Sequence, residues 1–392
     1  MAGLSKITVN VNRAGLGRRP INKDKVSGIV FYNDSPPTGW SSDNIQLVYT
    51  LEEAEALGLL EAATGNEDEW YHVREYFRAN PDGELYIGYF GVPVGAYDYA
   101  EISTMRTFSG GEIRQIAIWA PASTFAASHV TTLQTAVDTV DATLDRLVAI
   151  LGEDMSGVTW GSADDLRALD AEKCAVVACQ DAGAKGAALA TSKGYSMQAI
   201  GTCLGMISKS PVAESIGWPR EYNISDGTEL ETVAMADGTA IDDSTIGDAV
   251  LGALKDKGYT IIRKYTPKLS GSYFERMPTA IPATDDLAWL EYNRVLDKAV
   301  RLAATALTPE LNRTLKLNSD GTLEESTTVY FEDLVQSQLE QMQADNEISD
   351  GVAEIDPTQN VLSTSTLVIT IKVVPLGIAE FITIKIGFTT SI

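Results

Sequence analysis

Chemistry at neutral pH needs side chains that titrate there, attack, or hold a metal, and this sequence has few of them. Its two histidines, His72 and His129, could act as general bases or as metal ligands. His72 falls inside a helical pattern and His129 opens another. Neither lies in an HExxH or GxSxG context, or beside a cysteine at ligand spacing. Cys174 and Cys179 would face opposite sides of one strand, and no second ligand pair follows. With Cys203 they form an odd set in apolar surroundings, which predicts reduced thiols rather than a disulfide framework. The run Asp181-Ala182-Gly183-Ala184-Lys185-Gly186 sits where a strand–loop–helix anion cradle would. It is neither GxGxxG nor GxxxxGKS/T, and small residues there serve tight helix–sheet packing equally well. Asp242-Asp243 and Asp285-Asp286 suit turns and caps better than a pair of catalytic carboxylates. The expectation is a non-enzymatic protein without a cofactor or metal site.

The surrounding pattern is α/β. Strands are expected at 26–32, 45–49, 84–90, 114–119 (ending at Pro121), 174–179 and 259–265. Helices are expected at 51–60, 69–79, 182–191, 197–207 and 246–256. Three longer helices follow from apolar residues at helical spacing. One runs over about 128–151 on Leu133, Val137, Val140, Leu144, Leu147 and Ile150. Another runs over 285–307 on Leu287, Leu290, Val295, Ala299, Leu302 and Ala306. The third, 331–342, carries Phe331, Leu334, Val335, Leu339 and Met342. Strand–helix alternation predicts a sheet covered by helices.

Both ends of the sequence depart from that pattern. Ile7, Val9 and Val11 alternate with polar residues as on a strand, and a joint containing Gly15, Gly17 and Pro20 follows. Arg13, Arg18, Arg19, Lys23 and Lys25 make this the one basic stretch of an acidic chain. At the other end Leu367, Ile369, Ile371 and Val373 share one strand face. Pro375-Leu376-Gly377 breaks the run, and Ile382, Ile384, Ile386 and Phe388 share the face of a second strand. The stretch 356–365, beginning Asp356-Pro357, is polar and turn-rich. The division is therefore an arm at 1–25, an α/β subdomain at 26–105, a central α/β domain at 106–265, a helical part at 266–355, and a linker with a strand pair at 356–392. Extended ends set off by flexible joints suit β-augmentation between copies of the chain, with Gly15, Gly17 and Pro357 as hinges. The alternative is that both ends fold back on their own domain.

Bulk properties narrow the partners. A chain of 392 residues, 44% hydrophobic and 21% charged, has a globular composition with room for two or three domains. A net charge of -24 repels phosphate backbones and anionic membranes, which excludes nucleic acid as the expected partner. The basic stretch would instead help to steer a neighbouring copy onto an acidic body. No apolar run reaches membrane-spanning length, and the start lacks an apolar signal segment, so assembly in a reducing cytoplasm is expected.

Several segments resemble the contractile tail sheath proteins of bacteriophages and related injection systems. They are Lys6-Ile-Thr-Val-Asn-Val11 with Gly15-Leu16-Gly17 and the strand 26–32, then Gly271-Ser-Tyr-Phe-Glu-Arg-Met-Pro278, the helix 289–307, and Thr308-Pro309-Glu310-Leu311. The helix 331–342, Gly351 and the closing strand pair around Pro375-Leu376-Gly377 complete the likeness. The resemblance implies hexameric rings stacked helically around a tail tube, with terminal strands of neighbours interlaced. It also implies tube, baseplate and terminator proteins as partners, and a virion or injection particle as location. Rival readings are another tail or baseplate component, such as a tube subunit, and an α/β enzyme using the 183–186 loop.

Overall fold

Every residue of strand β1 (Val26–Tyr32, VSGIVFY) is buried. A strand buried on both faces belongs in the middle of a sheet covered by helices on each side, and that is where β1 lies in this computed structural model, which describes residues 23–40, 44–62, 65–141 and 146–386. Further strands are β2 (Asn44–Val48), β3 (Glu84–Phe90), β4 (Gln115–Thr124), β5 (Val148–Asp154), β6 (Cys174–Val177), β7 (Cys179–Asp181), β8 (Val233–Met235) and β9 (Tyr259–Thr260). Seven of them form one sheet in the order β2-β3-β1-β4-β5-β6-β9, in which only β2 runs antiparallel to its neighbour. The expected α/β fold is what the chain adopts.

Register shows what each face meets. Val30 pairs with Gly88 on β3 and with Ile118 on β4, and a Cβ at Gly88 would press on Met105 of the helix Glu101–Phe108. One residue on, Phe31, Tyr89, Trp119 and Gly152 form the opposite face, where a Cβ at Gly152 would strike Ile200 of the helix Ile200–Lys209. That helix carries glycines one turn apart. A Cβ at Gly201 would lie 2.3 Å from the His72 carbonyl oxygen, and one at Gly205 2.6 Å from that of Tyr76. Their absence of side chains lets the helix Glu67–Ala79 pack directly against it.

Some boundaries differ from the sequence reading. The helix expected over 128–151 is Ala127–Asp141, Leu144 lies outside the described residues, and Leu147 and Ile150 belong instead to the approach and centre of β5. A continuous apolar run satisfies helical spacing and a buried strand alike. The strand expected to stop at Pro121 continues to Thr124, with its register against β5 shifted after Ala120. The strand 174–179 breaks at Ala178, so Cys179 leaves the main sheet for a two-stranded ladder with β8.

Beyond β10 (Ile262–Tyr265) and β11 (Leu269–Phe274), an antiparallel pair, the chain enters a C-terminal module. It comprises the helices Leu290–Leu307 and Glu325–Ala344 and the strands β12 (Ile348–Glu354) and β13 (Thr370–Pro375). Val295, Ala299, Val335, Leu339, Met342 and Ile348 form its core. The other side of helix Leu290–Leu307 meets the α/β body through ions. Asp297 pairs with the fully buried Lys173 and, at 2.8 Å, with Arg146. Lys298 lies 2.6 Å from both Asp24 and Glu347, and Arg301 lies 2.7 Å from Asp24. Burial pushes the neighbouring Asp141 up to about 6, against the pull of Lys173.

Candidate assembly surface

The residues that could do chemistry are engaged in structure. His72 is fully buried, its ring edge-on to Trp119 at 4.3 Å, and neither ring nitrogen has a hydrogen-bond partner. Burial pushes it down to about 3, so it is a neutral packing residue. His129 Nδ1 lies 2.8 Å from Glu153 Oε2, and the Tyr99 hydroxyl donates to Oε1 of the same carboxylate at 2.7 Å. The three cysteines are buried thiols, and burial pushes Cys179 up to about 12. Asp242 and Asp285 begin or belong to turns, the Asp285 carboxylate accepting from Leu287 N at 2.8 Å. No group of side chains able to hold a metal occurs among the described residues.

The loop 181–186 carries its own anion. Asp181 Oδ2 accepts from the amides of Gly183, Ala184 and Ala187 at 3.2, 2.6 and 3.2 Å, and Oδ1 from Leu230 N at 2.9 Å. The Lys185 amide donates to Glu229. The donors a phosphate would need are thus already held by carboxylates. A cavity of about 330 Å³ beside this loop, lined in part by Ser156, Gln180, Tyr195 and Asp237, is fronted by the same Asp181.

Next to His72, Asp68 and Glu69 form a buried acid pair. Trp119 Nε1 and the Tyr195 hydroxyl donate to Asp68, each at 2.9 Å, and Asn33 donates to Glu69 at 2.7 Å. Burial, and then the charge of Asp68, raise Glu69 well above the ordinary 4.5. The folded chain therefore holds a proton there that the unfolded chain releases, and stability from this site falls as pH rises above 4.5. Glu69→Gln should gain melting temperature over the wild type between about pH 5 and 8, and a constant difference across that range would refute the assignment.

The C-terminal hairpin has one closed side and one open side. β12 and β13 pair antiparallel from Ile348↔Pro375 to Glu354↔Thr370. The outer edge of β12 is covered by helix Glu325–Ala344. Gln336 donates to the Gly351 carbonyl (3.0 Å) and accepts from Ala353 N (3.1 Å), Glu332 accepts from Ile355 N (2.7 Å), and Gln343 donates to the Ser349 carbonyl (3.0 Å). The outer edge of β13 has neither a strand nor a side-chain bond over residues 370–374, among the described residues. Ile369, Ile371 and Val373 turn inward onto the module core, and Leu367 packs on Leu323, Phe331 and Ile355. This first strand thus folds on its own chain through one edge and one face, leaving the other edge.

The following segment is different. Leu376, Ile378 and Glu380 are half-buried, whereas Phe381, Ile382, Ile384 and Ile386 are 76–91% exposed and in no strand. Glu380 reaches back to the body, 2.6 Å from Lys255 and 3.5 Å from Arg276. Sequence reasoning passes over it, although it is the one acidic residue after Asp356, and that isolation is the available signal.

Of the other expected assembly residues, Ile7, Val9, Val11, Arg13, Gly15, Gly17, Arg18, Arg19 and Phe388 lie outside the described residues. Lys23 pairs with Glu112 of its own body at 2.5 Å, and the Lys25 carbonyl accepts from Ser208. Around Pro357 the chain is bonded rather than loose. The Pro357 carbonyl accepts from Leu323 N at 3.0 Å, and Gln359 brackets the peptide of Val368 with two bonds.

No curated protein matches this chain in sequence. In fold it resembles a chain of the anti-feeding prophage (AFP) baseplate, with a TM-score of 0.64, 13% identity and 100% of both chains covered. It also resembles a chain of the PVC sheath complex of an extracellular contractile injection system in its contracted state. That likeness has a TM-score of 0.59 and 12% identity, and it covers 98% of this chain and 99% of the other. At such identities the likeness is one of fold. Family profiles match in tandem, the DUF2586 N-terminal domain over residues 4–277 and the DUF2586 C-terminal domain over 286–392. The chain belongs to the DUF2586 family.

Proposed function

We propose that this protein is a structural, non-enzymatic subunit of a contractile injection particle or phage tail, and within it a sheath subunit that polymerises around a tail tube. The observation that carries the reading is the coexistence, in one chain, of an open β13 edge and a strand-patterned segment, 381–386, that has nothing to pair with among the described residues. Placed on the β13 edge of a second copy, Ile382, Ile384 and Ile386 bury one face and the backbones complete each other's hydrogen bonds. The donor and acceptor surfaces differ, so the contact is heterologous and propagates into rings or helices. Whole-length likeness in fold to chains from two contractile particles supports this reading. So does the acidic surface, which disfavours nucleic acid. The residues expected at 7, 9 and 11, with the basic stretch, would add a second strand to the shared sheet, while tube, baseplate and terminator proteins complete the particle.

A baseplate role is the second reading, favoured by the fold likeness to the baseplate chain. Negative-stain microscopy of the purified protein separates the two, since a sheath subunit gives stacked tubes and a baseplate component gives single closed rings. Ile384→Pro removes an amide donor inside the pairing segment and should abolish tubes without altering the far-UV dichroism of the subunit. Tubes of normal length from this variant would end the proposal.

A further inference from the structure

The segment that follows β13 does not leave the body at once. Leu376, Ile378 and Glu380 alternate inward while Gly377 and Ala379 face out, and from Phe381 onward every described residue is exposed. The last inward side chain is thus a carboxylate, and it ends on a seat already assembled from other parts of the fold. Arg276 lies 4.1 Å from the Trp289 ring centroid and 5.0 Å from that of Tyr292, held by Glu291 at 2.6 Å. Lys255 is 5.9 Å from the same indole and 2.9 Å from Glu275. Arg167 is 5.2 Å from that indole, and its bonds run to backbone carbonyls of Asp256, Thr279, Ile281 and Ala288. Three cations therefore gather on one tryptophan with Glu275 and Glu291 as nearby counter-charges, and because Glu275 also serves Arg263 at 3.4 Å the cluster favours a third carboxylate.

We propose that Lys255, Arg276 and Trp289 form a carboxylate seat that clasps Glu380 of the same chain and so fixes where the terminal arm leaves the body. Its use in assembly rests on the reading above; the clasp itself belongs to the free subunit. Lys255 and Arg276 lie in the stretch matched by the N-terminal family domain, and Trp289 and Glu380 in that matched by the C-terminal one, so the clasp also ties the two domains together. Anchoring at 380 rather than at 376 takes four residues, up to about 14 Å of extended chain, out of the arm's reach. A shorter tether concentrates the arm near one neighbour and disfavours more distant ones.

The clasp is read in the isolated full-length chain. The native cysteines are buried, so nitroxides can be placed at Thr305→Cys on the module and Thr383→Cys on the arm. The spin–spin distance distribution should be single and narrow in the parent. Glu380→Gln, a change outside the core, should lose that narrow distribution, as should Glu380→Lys or Lys255→Glu. The double reversal Glu380→Lys with Lys255→Glu should restore part of it, because opposite charges then face each other again and Glu275 adds a second anion for the relocated ammonium, while Arg276 opposes it. A distribution unmoved by Glu380→Gln, or no recovery in a double variant with native dichroism, overturns the clasp. Mixing Glu380→Lys subunits with Lys255→Glu subunits tests whose glutamate is held. If the mixture assembles where neither single variant does, the seat is filled by the neighbour and the same-chain assignment is wrong; assembly of the double variant without assembly of the mixture supports it. Should no variant or parent form tubes, the sheath reading fails while the distance result still decides the clasp.

Discussion

Removing residues 377–392 should abolish tube formation while leaving a folded, soluble subunit. Among the described residues lost, only Ile378 and Glu380 touch the body, and the rest are exposed, so the fold gives up little. Leu376, which packs on the module core, is retained. What disappears is the proposed contact with the next copy. Burying three isoleucines is worth roughly 5–9 kcal/mol before the cost of ordering the arm. Losing a net contribution of even about 4 kcal/mol raises the concentration needed for assembly by about a thousandfold. Pelleting by ultracentrifugation with microscopy reads the first effect, and thermal melting the second. Tubes from the truncated chain would refute arm exchange. Cutting earlier, at 367, is a different experiment. It strips β13 from β12 and uncovers Ile348 and Ala353, so loss of folding is expected there.

The second large effect concerns Asp297. Lys173 is fully buried and its ammonium is paired with this carboxylate, which also holds Arg146 at 2.8 Å. Asp297→Ala leaves a buried cation facing only Asp141, at 3.9 Å, and should cost roughly 3–5 kcal/mol, seen as a lower urea midpoint. Replacing both partners, Lys173→Met with Asp297→Leu, should recover most of that loss, because the buried ammonium is removed with its carboxylate and Arg146 keeps Asp141, 3.4 Å away, as a partner. A loss below about 1 kcal/mol in the single variant would mean that water reaches Lys173 and that the ion row is not a sealed interface.

How much of this is legible in sequence depends on whether the cause is local. β1 and β3 can be read because each is an apolar run short enough for a strand and bounded by turn residues. Helix Leu290–Leu307 can be read from its apolar stripe, but its charged face cannot. Arg294, Asp297, Lys298 and Arg301 recur at helical spacing, and such a row ordinarily meets water. Here it is buried because Asp24, Arg146, Lys173, Ser210 and Glu347, far away in sequence, meet it one by one. The 147–151 run satisfies a helical pattern and folds as a strand, because periodicity does not distinguish the two forms over so few residues. For the assembly surface, alternation identifies both closing segments but not their difference. Only the partner strand β12, which has no strong alternation of its own, shows that 370–375 is half-committed at home and 381–386 is not.

The glutamine-bonded flank of β12 gives the hairpin a sense of direction. Two identical hairpins meeting through equivalent open edges would close on themselves and stop. With Glu332, Gln336 and Gln343 spending their amides and carboxylate on one flank, each copy would, in the proposed exchange, offer one free edge, that of β13, and one segment to fill it, 381–386, among the described residues. Any row built this way has a head and a tail, and every copy in it points the same way.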